Sequence, residues 1–386
     1  MQVADIHGTE KGFEVLKDAL GSMEKVEDQS TDTFKLTKAL YLHTEGEILW
    51  RNIDYKKALE SLQLSLTFSE ELLKEHTDLA RCYNAVGNCY SRLNQPMEAL
   101  EFYEKAYNMQ KKLAGSEYHV DMPMYKHQIG TAYEGLQKYD KAVEYYRDAL
   151  RLQEELNLSG FGDEAHFCRE LANALIWQEK YSEAAEPAMR AYNIRKNLLK
   201  NHPLTVCSIF QRANLQAYLQ DYEGALKLYL EAWEMEKSLD VGNHSEVWQK
   251  IITGVEDMCD FLKNGEKKQT FRKDALKFCK QFWIEKKKSP RFAFIDSNKD
   301  IIDTLMDLVS DENDKYELQK EQLWFYEGMY NATKEELQKD CDLETESDTL
   351  HYMLEEMTKL LNQMIHLCHQ LQDNKREELY TNELQV

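Results

Sequence analysis

The chain has 386 residues, 30% of them charged, and 69 acidic against 48 basic side chains leave a net charge of −21. That balance disfavours general affinity for nucleic acid or anionic membrane, and no stretch approaches the roughly 18 apolar residues that span a bilayer. Only 5 Pro and 15 Gly predict helices joined by short turns.

In chain order, the first segment is residues 1–34. The N-terminus carries acids and lacks an apolar core, so it does not read as a signal peptide. Residues 9–28 hold Phe13, Leu16, Ala19, Leu20 and Met23 on one helical face. This helix is either an N-terminal cap or the second helix of a lost repeat; the latter makes the chain the C-terminal arm of a longer protein.

Residues 35–245 repeat every 41 to 43 positions. Tyr83, Val86, Gly87, Tyr90, Ala99, Tyr103 and Ala106 recur as Ile129, Gly130, Tyr133, Ala142, Tyr146 and Ala149, with Lys126 where an aromatic is usual. Leu171, Ala172, Leu175, Ala184, Ala188 and Ala191 follow, and then Ala213, Ala225, Tyr229 and Ala232. An earlier copy has Gly46, Leu49, Ala58 and Leu62. Five units of this kind predict an α-solenoid of helical hairpins, because small residues let paired helices approach while Tyr and Leu fill the remaining gap. Tyr55, Tyr139, Tyr181 and Tyr222 share one turn position. Asp54, Asp140 and Ser182 are expected to cap second helices, and Pro96 suits a first helical position. Eight cysteines lack a CxxC pair; Cys82, Cys89 and Cys168 fall on inward positions, which fits reduced thiols in a cytosol.

The segment Tyr181-Ser-Glu-Ala-Ala-Glu-Pro187 and the run from Asn193 to His202-Pro203 resemble tetratricopeptide repeats of the kinesin-light-chain type. Such repeats also occur in C-terminal arrays of NACHT and NB-ARC signalling proteins. The resemblance covers roughly residues 35–245 and implies an all-α, right-handed solenoid whose concave groove binds protein. It departs from the family in carrying the Pro and His-Pro elements in one unit alone and in lacking the heptad coiled coil before the repeats.

Residues 246–290 read as a degenerate sixth helical pair with Gly254 and Ala275 as small positions, and 290–298 break the helical signal. Beyond lie helices near 299–309, 314–339 and 348–373 in an acidic C-terminal region, 291–386. From residue 311 onward there are 19 acidic and 7 basic residues. The apolar seam from Leu350 to Leu371 wants a partner helix; it either folds back as a helical cap of the solenoid or joins a second chain.

No nucleophile elbow, Gly-rich phosphate loop or HExxH motif is present, so no catalytic residue, cofactor or metal site is assigned and the chain does not read as an enzyme. His366, Cys368 and His369 read as solvated or partner-facing imidazoles beside a core thiol. The basic run containing Lys267, Lys268, Arg272, Lys273 and Lys277 is interleaved with Phe271, Phe278, Phe282 and Trp283. It reads either as a solvated face paired with the chain's own acidic tail or as an anion or RNA site.

In arrays of this type the second, fifth, ninth, twelfth and thirteenth positions of each first helix line the groove. Here they include Trp50, then Arg81, Asn84, Asn88 and Arg92, then His127, then Arg169, Asn173 and Trp177, then Phe210, Asn214 and Tyr218. Glu47 and Glu134 are the acidic exceptions. Asn at successive ninth positions matches an extended peptide backbone, Arg favours carboxylates, and the aromatics are anchors. The expectation is a cytoplasmic adaptor that binds an acidic, partly apolar peptide segment. The chief alternative is the sensing or autoinhibitory arm of a signalling protein.

Overall fold

The computed structural model describes residue 12 and residues 31–160, 162–239, 245–286, 299–340 and 347–384. The helix expected at 9–28 lies outside the described residues apart from Gly12, as does the break at 290–298. Every regular element described is an α-helix, and the chain divides into two compact units, Met1–Leu219 and Gln220–Val386.

The first unit contains α1 (Asp32–Arg51), α2 (Tyr55–Leu72), α3 (Thr77–Arg92), α4 (Pro96–Ala114), α5 (Met122–Gly135), α6 (Tyr139–Glu155), α7 (Gly162–Trp177), α8 (Tyr181–Leu199) and α9 (Pro203–Tyr218). Each of α1, α3, α5 and α7 pairs with the even helix that follows it, and each such hairpin packs on the next first helix. The repeat positions explain the pairing. Ala58, Ala99, Ala142 and Ala184 are wholly buried. A Cβ built at Gly87 would come within 2.7 Å of the Tyr103 ring, and one at Gly130 within 2.7 Å of the Tyr146 ring. Glycine is therefore needed for the closeness of approach, not for backbone freedom.

Each hairpin turn carries a left-handed residue two places before the second helix: Ile53 (φ 69°), Asn94 (58°), Gln137 (57°) and Glu179 (59°). The turn closes the first helix with a long backbone bond, as in Gln95 N to Tyr90 O at 2.9 Å and Lys138 N to Tyr133 O at 2.9 Å. Asp54 caps α2 by accepting from Lys57 N. Asp140 and Ser182 do not cap: their helices begin one residue earlier, at Tyr139 and Tyr181, so both fall inside the first turn. Asp140 instead accepts from Gln178 Nε2 at 3.0 Å. His202 caps α9 through Leu204 N, with Pro203 in the first turn. Lys126 replaces the usual aromatic by lying over the Tyr107 ring and donating to Asp148 at 2.8 Å.

The second unit contains α10 (Tyr222–Ser238), α11 (Ser245–Phe261), α12 (Gly265–Lys286), α13 (Lys299–Leu308), α14 (Glu312–Asp340), α15 (Ser347–Gln370) and α16 (Asn374–Leu384). The repeat geometry changes here. In the first unit the small glycine of a first helix faces its own second helix; Gly254 of α11 instead faces the Tyr229 ring of α10, the helix before it. Phe278 meets Trp233 and Trp248 edge-on, and Trp283 meets Phe325 edge-on. The aromatic stripe of the basic segment is thus core. On α15, Leu360, Leu361, Met364, Leu367, Cys368 and Leu371 are buried, and the helix packs on α14 and α16 of the same chain.

Candidate functional site

Polar bonds link α1 to α3, α3 to α5, and α7 to α9. Cys82 Sγ of α3 lies 3.6 Å from His43 Nδ1 of α1. Gln128 of α5 donates to Asn88 of α3 at 3.2 Å, and Gln211 of α9 donates to Asn173 of α7 at 2.6 Å and to the Arg169 carbonyl at 2.9 Å. The first-helix face is therefore largely polar, with ring contacts in place of polar bonds between α5 and α7. The ninth-position amides are not idle within it. Asn88 Oδ1 also accepts from the Tyr103 hydroxyl at 2.9 Å, and Asn173 Nδ2 donates to Glu170 at 3.0 Å.

The centre of this face lies where α5 meets α7. His127 is buried and stacks on Phe167 with ring centroids 4.4 Å apart; His166 is 4.8 Å away. Burial first, then the neighbouring His166 and Arg169, hold the His127 imidazole well below its ordinary value, so it is neutral at physiological pH. Its two ring nitrogens find no partner among the described residues. Glu134 accepts from the Tyr146 hydroxyl at 2.7 Å, and burial raises its carboxyl, with Glu170 adding to the rise. Arg169 bonds Glu170 directly.

Glu170 was not among the residues expected here. It occupies the sixth position of its repeat, a column the five-position reading skips; Gln128 and Gln211 occupy the same column. The expected scarcity of acids therefore fails around Arg169, which is neutralised by its own neighbour. Toward α3 acids are also near, but the contact is looser. Arg81 is exposed, with Asp78 at 3.7 Å as its ion-pair partner, and Arg92 is exposed with its guanidinium 5.5 Å from the Trp50 ring.

The aromatic residues sit apart from the polar centre. Trp50 is half-buried and edge-on to Tyr55. Trp177 is 64% exposed and stacks on Tyr139 at 6.1 Å; Tyr218 is 52% exposed and stacks on Tyr181 at 4.9 Å. The last two pairs join the start of one second helix to the end of the next first helix, and Trp50–Tyr55 spans a single turn, so these rings mark the row of hairpin turns. Phe210 and Asn214 are half-buried on α9.

The basic segment is partly spoken for. Lys268 pairs with Asp260 at 2.6 Å and Arg272 with Glu256 at 2.7 Å. Lys267 donates its backbone N–H to Asn264 Oδ1 at 3.0 Å. Lys273 and Lys277 remain exposed. Toward the acidic tail, Lys280 pairs with Asp314 at 2.7 Å. His366 accepts or donates with Gln370 at 2.9 Å and His369 lies 3.5 Å from Glu377. Among the described residues no group of three His, Cys, Asp or Glu side chains is placed to hold a metal ion, and no helix is long and apolar enough to cross a membrane.

Tetratricopeptide-repeat family models match residues 38–112, 125–156 and 165–204. Among curated protein sequences none matches the chain. BtubC (BKLC) from P. vanneervenii is 18% identical, with 61% of this chain and 93% of that chain covered and a TM-score of 0.51. The apo form of RapI is 14% identical, covers 78% and 79% respectively, and gives 0.52. A Rap protein complexed with competence and sporulation factor is 12% identical, covers 76% and 79%, and gives 0.50. The chain carries tetratricopeptide repeats in an all-α solenoid fold.

Proposed function

We propose that this tetratricopeptide-repeat chain is an adaptor that holds an extended, acidic and partly apolar segment of a partner protein against its first-helix face. The observation that carries the reading is a row of buried polar atoms without a partner among the described residues: Asn84 Oδ1, both His127 ring nitrogens, Gln128 Oε1 and Gln211 Oε1. Unpaired buried donors and acceptors are unfavourable, and a peptide backbone offers both kinds in an extended row. The acidic character rests on Arg81 and Arg92, whose guanidinium groups reach solvent. Around Arg169 the selection is for polar, uncharged groups, because Glu170 already supplies the anion. Trp177 and Tyr218 supply apolar anchors toward the turns. A Rap protein of similar fold is known in complex with competence and sporulation factor, which supports the reading. The seven free cysteines among the described residues support a reducing, cytosolic setting.

The test is selection of peptides from a random display library on the full chain, followed by affinity measurement. Selected peptides should be rich in Asp and Glu beside an aliphatic or aromatic residue. Arg81→Glu should weaken them about tenfold or more, by roughly the 1.4 kcal/mol of one buried charge contact. Selection without acidic enrichment, or unchanged affinity in Arg81→Glu, would reject the reading.

A further inference from the structure

Seven cysteines are free among the described residues, and six of them are buried. Most of these thiols sit in apolar packing. Burial pushes Cys89, Cys168 and Cys279 up to about 12, which makes them inert. Cys82 differs in its neighbours. Its sulfur faces His43 Nδ1 at 3.6 Å, and the other ring nitrogen of His43 lies 3.5 Å from Glu47. Nucleophile, base and orienting carboxylate are thus aligned through the two faces of one imidazole, the arrangement that activates sulfur nucleophiles.

The hydroxyls around the sulfur sharpen this picture. Ser65 Oγ is 4.0 Å and Ser69 Oγ 3.7 Å from Cys82 Sγ. Each hydroxyl proton is already committed: Ser65 donates to the Ala39 carbonyl at 2.6 Å and Ser69 to the Ser65 carbonyl at 2.9 Å. Neither serine can donate to the sulfur without losing that bond, so His43 is the group placed to exchange a proton with it. The imidazole is held toward its protonated form. Its bond to Cys82, then its contact with Glu47, raise it to about 9. Cys82 is 5% exposed, while the side chains of His43 and Glu47 are 18% and 56% exposed. The sulfur is thus nearly closed off, and of its polar neighbours His43 is the one that reaches solvent.

We propose that Cys82 is a modification site whose thiol reacts with small hydroperoxides, with His43 as its base and Glu47 as the positioning residue. The proton shared between Cys82 Sγ and His43 Nδ1 rests on the imidazole, and the sulfur attacks the outer peroxide oxygen. An S–O bond forms as the O–O bond breaks, and the leaving oxygen takes the proton back from His43. The thiol is oxidised to sulfenic acid and the peroxide is reduced to water or an alcohol. The new oxygen lies where α1, α2 and α3 meet, two residues from Asn84, so the modification adds polar volume under the first end of the polar face.

The experiment exposes the full chain to hydrogen peroxide at about pH 7 and follows each cysteine-containing peptide by mass. Cys82 should be oxidised at least about tenfold faster than Cys89, Cys168 or Cys279, a modest share of what a positioned base contributes. His43→Gln should remove most of that advantage, and the deficit should narrow as pH rises toward 10, where hydroxide generates the thiolate unaided. A purely packing role for His43 would not give that pH dependence. Glu47→Gln, on an exposed side chain, should slow the reaction severalfold and serves should His43→Gln fail to fold. The other charges near Glu47, Arg51 and Arg81, are unchanged in both variants. Oxidation of Cys82 no faster than that of Cys89, or wild-type rates in Glu47→Gln, would overturn the proposal.

Discussion

Replacing Gly130 by Ala tests whether closeness between paired helices, rather than helix propensity, decides stability in this array. Propensity alone favours the change by up to about 1 kcal/mol in a helix interior. Geometry opposes it. The new Cβ would stand 2.7 and 2.8 Å from Tyr146 Cε1 and Cδ1 and 3.4 Å from the Ala142 carbonyl oxygen, against roughly 3.5–4.0 Å for relaxed carbon contacts. Tyr146 cannot swing away freely. Its ring is wholly buried, its centroid is 5.2 Å from that of His127, and its hydroxyl donates to Glu134 at 2.7 Å. Overpacking of this kind destabilises by about 1–3 kcal/mol, and loosening the hydroxyl bond adds about 0.5–1.5 kcal/mol. The net expectation is a loss of about 1–3 kcal/mol, read from urea unfolding with the slope checked for two-state behaviour. Gly162→Ala is the control, because nothing lies within 4 Å of its added Cβ; it should change stability by no more than about 0.5 kcal/mol. Tyr146→Leu should shrink the Gly130→Ala penalty. A Gly130→Ala chain as stable as the wild type would refute the packing argument.

Three further expectations follow from particular residues. Ile53 holds a left-handed φ of 69° that a β-branched side chain tolerates poorly, so Ile53→Gly should stabilise by about 1 kcal/mol in the same urea assay. Burial raises Glu236 to about 7, against the Trp248 N–H bond that favours its anion. Its folded value lies above its unfolded one, so its contribution is present at low pH and is lost as pH rises through about 7; Glu236→Gln should be more stable than the wild type at pH 8, by at most about 3 kcal/mol. His127 has the opposite sign. Its folded value is depressed, so the stability it supports is present above about pH 6.5 and falls away below it, and His127→Leu should flatten the acid side of the stability–pH curve.

The repeat phase was legible because small residues must recur wherever helices touch. Ala58, Ala99, Ala142, Ala184 and Ala225 are each wholly buried, as their spacing requires. The turn tyrosines were placed correctly for a similar reason. Capping was legible at Asp54 but not at Asp140 or Ser182, because a one-residue shift in helix start converts a cap into a first-turn residue. The left-handed turn positions left no trace, since Ile53, Gln137 and Glu179 occupy them in place of Gly or Asn. In the candidate site the exposed Arg81 and the column of amides could be read from register. The pairing of Arg169 with Glu170 could not, because that pair depends on a helix column outside the chosen positions. The approach of His43 to Cys82, 39 residues apart in sequence, is set by hairpin stacking and has no local signature. Gly254 kept its small size but changed the helix it faces.

The central claim, that the first-helix face captures an acidic segment, is tested most directly by the affinity of one selected peptide for three chains. Lys105 carries a charge of the same sign on the second helix α4 and is exposed beside Glu101, so Lys105→Glu is the matched control for Arg81→Glu. The account predicts that binding falls about tenfold or more in Arg81→Glu and is unchanged in Lys105→Glu, at one stated salt concentration. Equal losses in both variants would reduce the interaction to net charge, and a loss confined to Lys105→Glu would place the binding surface on the second helices.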